Sequence, residues 1–274
     1  MNNFQMDAGR GSFQFSDPAA GTRQSMRVFY FRPTSGAQNA RIVIAMHGLD
    51  RAASDFRDVL VRQADQHGMI VLVPEFDSEA FPDVYAYNYG NVRSGPDAAV
   101  ATRDRWSFGI VDRLFRHVCD GVGSERTTFG MFGNSAGSQF VLRYLALTDA
   151  TAVKRAVASN SGIYMLPDLD VEYPSGLGGL DLDQASLRRY FARKLTILLG
   201  EADSDSTAFD LPRDKEALTQ GPHRLARGLW HFDLCKRIAD RLGDPLAWTL
   251  RTVPGAGHVD QQIFDTALDV LAGG

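Results

Sequence analysis

The chain has 274 residues, 44% hydrophobic and 23% charged, values ordinary for a soluble globular protein with a large buried core. Its formal net charge is -4, without long runs of like charge, so the concentrated basic face that nucleic acid requires is not expected. No apolar run approaches the ~20 residues of a membrane span. The polar, Gly-rich start from Met1 to Phe15 lacks the basic and apolar regions of a signal peptide, so a cytoplasmic protein with no membrane partner is expected, with a chain whose signal peptide has been trimmed as the alternative.

Short β-branched or apolar runs alternate with longer stretches of helical spacing. In chain order, strands over Met26–Phe31 and Arg41–Met46 lead to a helix over Ser54–His67. A strand over Met69–Val73 precedes a helix over Arg105–Val118, and a strand over Thr127–Phe132 precedes a helix over Ala136–Leu147. Strands over Val153–Ser159 and Leu195–Leu199, a helix over Arg224–Leu242, a strand over Trp248–Val253 and a helix over Gln261–Leu271 complete the pattern. Strands that alternate with helices predict an α/β fold with a mostly parallel sheet and helices on both faces. The unbroken apolar run Ile42–Met46 fits a strand covered on both sides. Residues 1–274 show neither repeat nor low-complexity linker and read as one domain.

Two stretches depart from the alternation. Residues 74–104 hold Phe76, Phe81, Tyr85, Tyr87 and Tyr89 among Asp, Asn and Gly, and residues 163–189 are rich in Pro, Gly and Leu. Irregular segments of this length often cover binding sites. One or both are expected to roof a substrate site, with ordinary surface packing as the other reading. The aromatics of the first stretch, with Tyr164 and Phe209, are candidates for an apolar pocket.

The strongest motif is Gly133-Asn134-Ser135-Ala136-Gly137, a match to G-x-S-x-G. It stands between an apolar strand and a helix, the context in which a tight turn lifts a serine above a sheet. A serine hydroxyl needs a base. His258, after the last predicted strand, is placed to supply it, whereas His67 and His117, near helix ends, read as solvated or capping and His223 and His231, flanking one helix, as structural. The carboxylate that orients the imidazole is expected after a late strand. Asp203 in Gly200-Glu201-Ala202-Asp203 is the preferred candidate and Asp205 the alternative. The order Ser, Asp, His along the chain agrees with one class of hydrolases. His47-Gly48-Leu49 follows an early strand, so backbone N–H groups of Leu49 and Ala136 are the candidate oxyanion donors and His47 a buttress. Cys119 and Cys235 have no metal-ligand spacing around them and read as buried apolar residues.

With these residues in hand, the sequence resembles the α/β-hydrolase superfamily over nearly its whole length. Within it the chain is similar to the serine esterase and polyhydroxybutyrate-depolymerase-like branch. The residues behind that likeness are His47-Gly48 with Arg51, Pro74-Glu75-Phe76-Asp77, Gly133–Gly137 and Gly200–Asp205. The resemblance implies an eight-stranded sheet, no cofactor and acyl transfer to water through an acyl-serine, on a small or oligomeric ester. One departure is the long separation of Asp203 from His258, with the surplus around Thr207–Gly221 and its Phe209. Thioesterase, acyltransferase or lyase chemistry on the same residues, or a non-catalytic binding protein, are the rival readings. No G-x-G-x-x-G or G-x-x-x-x-G-K-[ST] turn supports a nucleotide-binding fold.

Overall fold

A computed structural model of the chain describes residues 6–18 and 25–273, so residues 1–5 of the polar start lie outside the description. The strands are β1 (Gly9–Ser16), β2 (Ser25–Arg32), β3 (Arg41–Met46), β4 (Met69–Pro74), β5 (Phe129–Asn134), β6 (Val153–Ser159), β7 (Leu195–Gly200) and β8 (Thr249–Val253). The helices are α1 (Ala53–Gln66), α2 (Phe108–Val122), α3 (Ala136–Leu147), α4 (Gln184–Phe191), α5 (Lys215–Gln220), α6 (Arg224–Leu242) and α7 (Gln261–Ala272). The strands form one 8-stranded sheet in the order β1-β2-β4-β3-β5-β6-β7-β8. It is mixed: β1 and β2 pair antiparallel, as do β2 and β4, and the remaining pairs are parallel.

The parallel strands are the buried ones. β4 and β7 are buried at every position, as strands covered on both faces should be. One face packs Leu60 and Ala64 of α1 and Ile263, Phe264 and Leu268 of α7 against Val43, Val71, Phe132 and Val157. The other packs Val111, Leu114 and Val118 of α2 and Phe140 and Tyr144 of α3 against Ile42, Ile44, Met131 and Ala156. Every residue of α3 is buried, so this helix lies between the sheet and an outer layer.

Three elements escape the periodicity reading. β1 has the sequence GRGSFQFS, too polar and glycine-rich to announce a strand, and it forms because β2 offers an edge and Phe15 turns inward. α4 begins inside the irregular stretch 163–189 and runs beyond its end. It starts at Asp183, whose carboxylate accepts the Ser186 N–H at 2.9 Å, a local cap that the leucine-rich surroundings obscured. α5, with only 6 residues, is too short to show a period. The helix expected from Arg105 begins at Phe108 instead, because Arg103–Arg105 forms a separate 3₁₀ turn.

The register gathers the carboxyl ends of the central strands. Met46 pairs with Gly133, Asn134 with Ser159, Ser159 with Leu198, and Gly200 with Val253. The loops that follow β3, β5, β6, β7 and β8 therefore leave the same edge of the sheet. In open α/β sheets that edge is where ligands bind.

Candidate active site

Ser135 is the corner between β5 and α3. It holds φ 57° and ψ -116°, a backbone state that costs a non-glycine residue about 1–3 kcal/mol. Neighbours over-determine it: the Ser135 N–H donates to the Ser159 carbonyl at 3.0 Å, and the Gln139 N–H donates to the Ser135 carbonyl at 3.2 Å. Both flanking glycines are obligatory on steric grounds. A Cβ at Gly133 would lie 2.2 Å from the Gly137 carbonyl oxygen, and one at Gly137 would lie 1.9 Å from that of Met46. The second contact also brings the end of β3, and the Gly48-Leu49 turn beyond it, against the first turn of α3.

His258 lies between β8 and α7. Its Nε2 is 3.1 Å from Ser135 Oγ and its Nδ1 2.8 Å from Asp203 Oδ2. Because an ionised carboxylate only accepts, Nδ1 carries the proton and Nε2 presents its lone pair to the serine hydroxyl. The three residues named from sequence thus form one hydrogen-bonded chain. Asp205, the alternative acid, faces elsewhere. It accepts from the Thr207 N–H at 2.7 Å and hydroxyl at 2.6 Å in a local turn, and those bonds hold its carboxyl below the usual range.

Several residues that support this chain were not found by motif reasoning. Arg224, the first residue of α6, is 2% exposed, with guanidinium nitrogens 3.7 Å from Asp203 Oδ1 and 2.7 Å from Asp210 Oδ1. In the sequence it is one arginine among many at a helix start. Asn134, an unspecified position of the serine motif, donates from Nδ2 to the His258 carbonyl at 3.3 Å and accepts from Ser159 Oγ at 2.7 Å. Asn160, at φ 50° just beyond β6, donates to the same carbonyl at 3.1 Å and accepts the Gly200 N–H at 3.0 Å. Asn160 therefore ties the backbone of His258 to the strand end that leads into Asp203. An asparagine directly after a strand, where left-handed backbone suits its side chain, was the available signal.

His47 is fully buried between the Gly48 carbonyl, 2.9 Å from Nδ1, and the Phe76 N–H, which donates to Nε2 at 3.1 Å. Burial lowers its pKa to about 4, which keeps the ring neutral. The Tyr87 hydroxyl donates to the His47 carbonyl at 2.7 Å, and the Arg51 guanidinium lies 4.4 Å from the Tyr87 ring centre. The loop after β3 is thereby held from below by residues of the 74–104 stretch. Leu49 is 45% exposed at the rim. Ala136 heads α3, where a backbone N–H has no acceptor inside the helix.

The remaining histidines have structural surroundings. His67 pairs with Asp269 at 2.7 Å, and the His223 ring accepts the Ala226 N–H at the start of α6. His231 stacks on Tyr164 at 4.5 Å, with its pKa lowered to about 3 by burial. His117 is not at a helix end as expected: α2 continues to Val122, and the ring packs against Phe13 and Phe15 of β1. Cys119 and Cys235 are free and buried. Among the described residues no three His, Cys, Asp or Glu side chains are grouped as metal ligands would be.

A cleft of about 500 Å³ opens beside Ser135 and His258. Leu49, Phe56, Val59, Phe209, Val259 and Phe264 form its apolar walls, and Asp50, Asp55 and Asp210 add carboxylates. Neither 74–104 nor 163–189 contributes to this lining. Phe76, Phe81, Tyr87, Tyr164 and Tyr173, which belong to these stretches, are buried. Of the aromatics proposed for a pocket only Phe209 lines the cleft, from the extra segment between Asp203 and α6. Tyr85 and Phe81 line a separate hollow of about 370 Å³ that shares no residue with it.

Two solved structures are similar over almost the whole chain. Poly(aspartic acid) hydrolase-1 from Sphingomonas sp. KT-1 is 35% identical with a TM-score of 0.93, covering 98% of this chain and 100% of that one. The poly(3-hydroxybutyrate) depolymerase LpqC from Bordetella parapertussis is 30% identical with a TM-score of 0.89, covering 96% and 90%. An S-formylglutathione hydrolase from Agrobacterium tumefaciens, 17% identical with a TM-score of 0.63 over 96% and 94%, shares the fold. No protein-family model matches the chain, and no curated protein matches it.

Proposed function

This chain belongs to the α/β-hydrolase superfamily, in its serine esterase and polyhydroxybutyrate-depolymerase-like branch, and from that premise we propose that it cleaves carboxylic esters through an acyl-serine. The observation that carries the reading is the chain of contacts from Ser135 Oγ through His258 to Asp203, 3.1 Å and 2.8 Å long, at the floor of an open cleft.

In this reading His258 Nε2 takes the Ser135 proton as Oγ attacks the ester carbonyl. Asp203 keeps the proton on Nδ1 and stabilises the imidazolium that forms. The N–H groups of Leu49 and Ala136 receive the oxyanion, and one such donor is worth about 3–4 kcal/mol in the transition state. His258 then protonates the leaving alcohol and activates water to release the acid. The strained corner at Ser135 supports the role, since it holds Oγ ready for attack with little reorganisation.

A second reading, amide hydrolysis, is favoured by the likeness to a protein described as a poly(aspartic acid) hydrolase, because that polymer is joined by amide bonds. The test is turnover of a p-nitrophenyl ester series from acetate to laurate, beside the matching anilides, by wild type and Ser135→Ala. Ester turnover that falls by a factor of roughly 10³ or more in the variant is expected. Folded wild type that cleaves anilides but no ester would replace the ester reading with the amide one.

A further inference from the structure

Relatives described as acting on poly(aspartic acid) and on poly(3-hydroxybutyrate) take substrates of opposite electrostatic character, a polyanion and a neutral polyester. The charge of the cleft discriminates between them. A polyanion needs cations along its path, as every site that grips carboxylates or phosphates does. Among the described residues lining the Ser135 cleft there is no Lys or Arg, whereas Asp50 and Asp55 both face it from the loop after β3 and the start of α1. Asp210 adds a third carboxylate to the lining, and the nearby cation, Arg224, is buried and already shared between Asp203 and Asp210. Arg51, next along the chain, is turned away: its guanidinium donates to the Phe76 and Asp83 carbonyls and covers the Tyr87 ring.

The rest of the lining is apolar and open to solvent. Phe209 is 97% exposed, Val259 74% and Leu49 45%, on three separate loops that line the cleft with the reacting residues. Large apolar groups so exposed around one opening mark a surface that contacts something apolar.

Resting on the esterase reading above, we propose that this cleft is a charge filter: it admits neutral or cationic ester chains along Leu49, Phe209 and Val259, and Asp50 and Asp55 turn anionic chains away. The proposal separates this chain from polyanion hydrolysis despite the overall likeness. The carboxylates are exposed, so their repulsion acts through water and is weakened by salt. A pair of such charges within a cleft of this width disfavours an anionic substrate by about tenfold at low ionic strength.

The experiment compares kcat/KM for p-nitrophenyl butyrate with that for mono-p-nitrophenyl succinate, a matched anionic ester, in wild type and in Asp50→Asn/Asp55→Asn. Both are measured at low salt and at roughly 0.5 M salt, where the screening length is a few Å. The expected result is a preference for the neutral ester of about tenfold at low salt that shrinks toward unity with added salt and in the double variant. Equal or faster cleavage of the anionic ester by wild type overturns the filter and leaves the esterase reading standing. A preference that neither salt nor the double substitution changes also overturns it, since the discrimination is then steric. Folded wild type that cleaves neither ester, with Ser135 unlabelled by a fluorophosphonate, removes the esterase reading and the filter together.

Discussion

Ser135 and Asp203 stand beyond the ends of β5 and β7, yet they are held by different forces. Ser135 is fixed by steric exclusion: glycines at 133 and 137 let backbones meet at distances that admit no Cβ. Asp203 belongs to a longer, more exposed segment whose place is set by buried cations. Arg224 joins Asp203 to Asp210, and Arg227, fully buried, donates to the carbonyls of Gly162, Pro212 and Gly221. Close packing tolerates no change in volume, whereas an ion-paired loop tolerates changes at its tip and fails when the charge balance is broken. That difference fits the uses of the two regions. The serine corner keeps one geometry, and the acid's segment carries Phe209 into the cleft.

The comparison is broken most severely at Gly137. Gly137→Ala is expected to cost at least about 3 kcal/mol or to prevent folding, since its Cβ would meet a main-chain oxygen that no rotamer change can clear. Chemical denaturation reads this directly; a variant as stable as wild type would show that β3 and α3 can separate at no cost. Arg224→Met tests the other region. It keeps an apolar stem but leaves Asp203 and Asp210 without their cation, and a loss of about 3 kcal/mol is expected. Slower fluorophosphonate labelling of Ser135 should accompany it, because Asp203 then loses the group that helps hold it against His258. Labelling at the wild-type rate in a destabilised protein would assign Arg224 to stability alone.

A smaller effect sharpens the contrast through pH. Burial lowers the pKa of His47 from 6.5 to about 4, so the unfolded chain binds its proton first. The contribution of neutral His47 is complete above pH ~6.5 and is lost progressively as pH falls toward ~4, by roughly 3 kcal/mol. His47→Gln should flatten the dependence of unfolding free energy on pH across that window by up to one proton. Parallel slopes for variant and wild type would contradict the neutral, buried state of the ring.

Much of the site's geometry was legible along the chain because its signals are local. The run Phe129–Phe132, the glycines at 133 and 137 and the helix after them encode a corner through neighbouring residues alone. His258 and Asp203 were legible by position after strands, and the choice between Asp203 and Asp205 needed the hydrogen bond that only one of them makes to His258. The long irregular stretches were ambiguous for a physical reason. An aromatic residue among polar ones reads the same whether it lines a cleft or fills a core, and Phe76 and Tyr87 turned out to prop the loop after β3 from within.

Read alone, the sequence determined the order of the longer strands and helices, the serine corner and the class of fold, since periodicity and turn chemistry depend on residues close in the chain. The meeting of buried polar groups came from the folded chain alone: Arg224 with Asp203, and Asn134 and Asn160 with the carbonyl of His258. Folding also decided which walls surround the serine. These partners lie far apart in sequence, and their pairing depends on strand order and register, which no local pattern records.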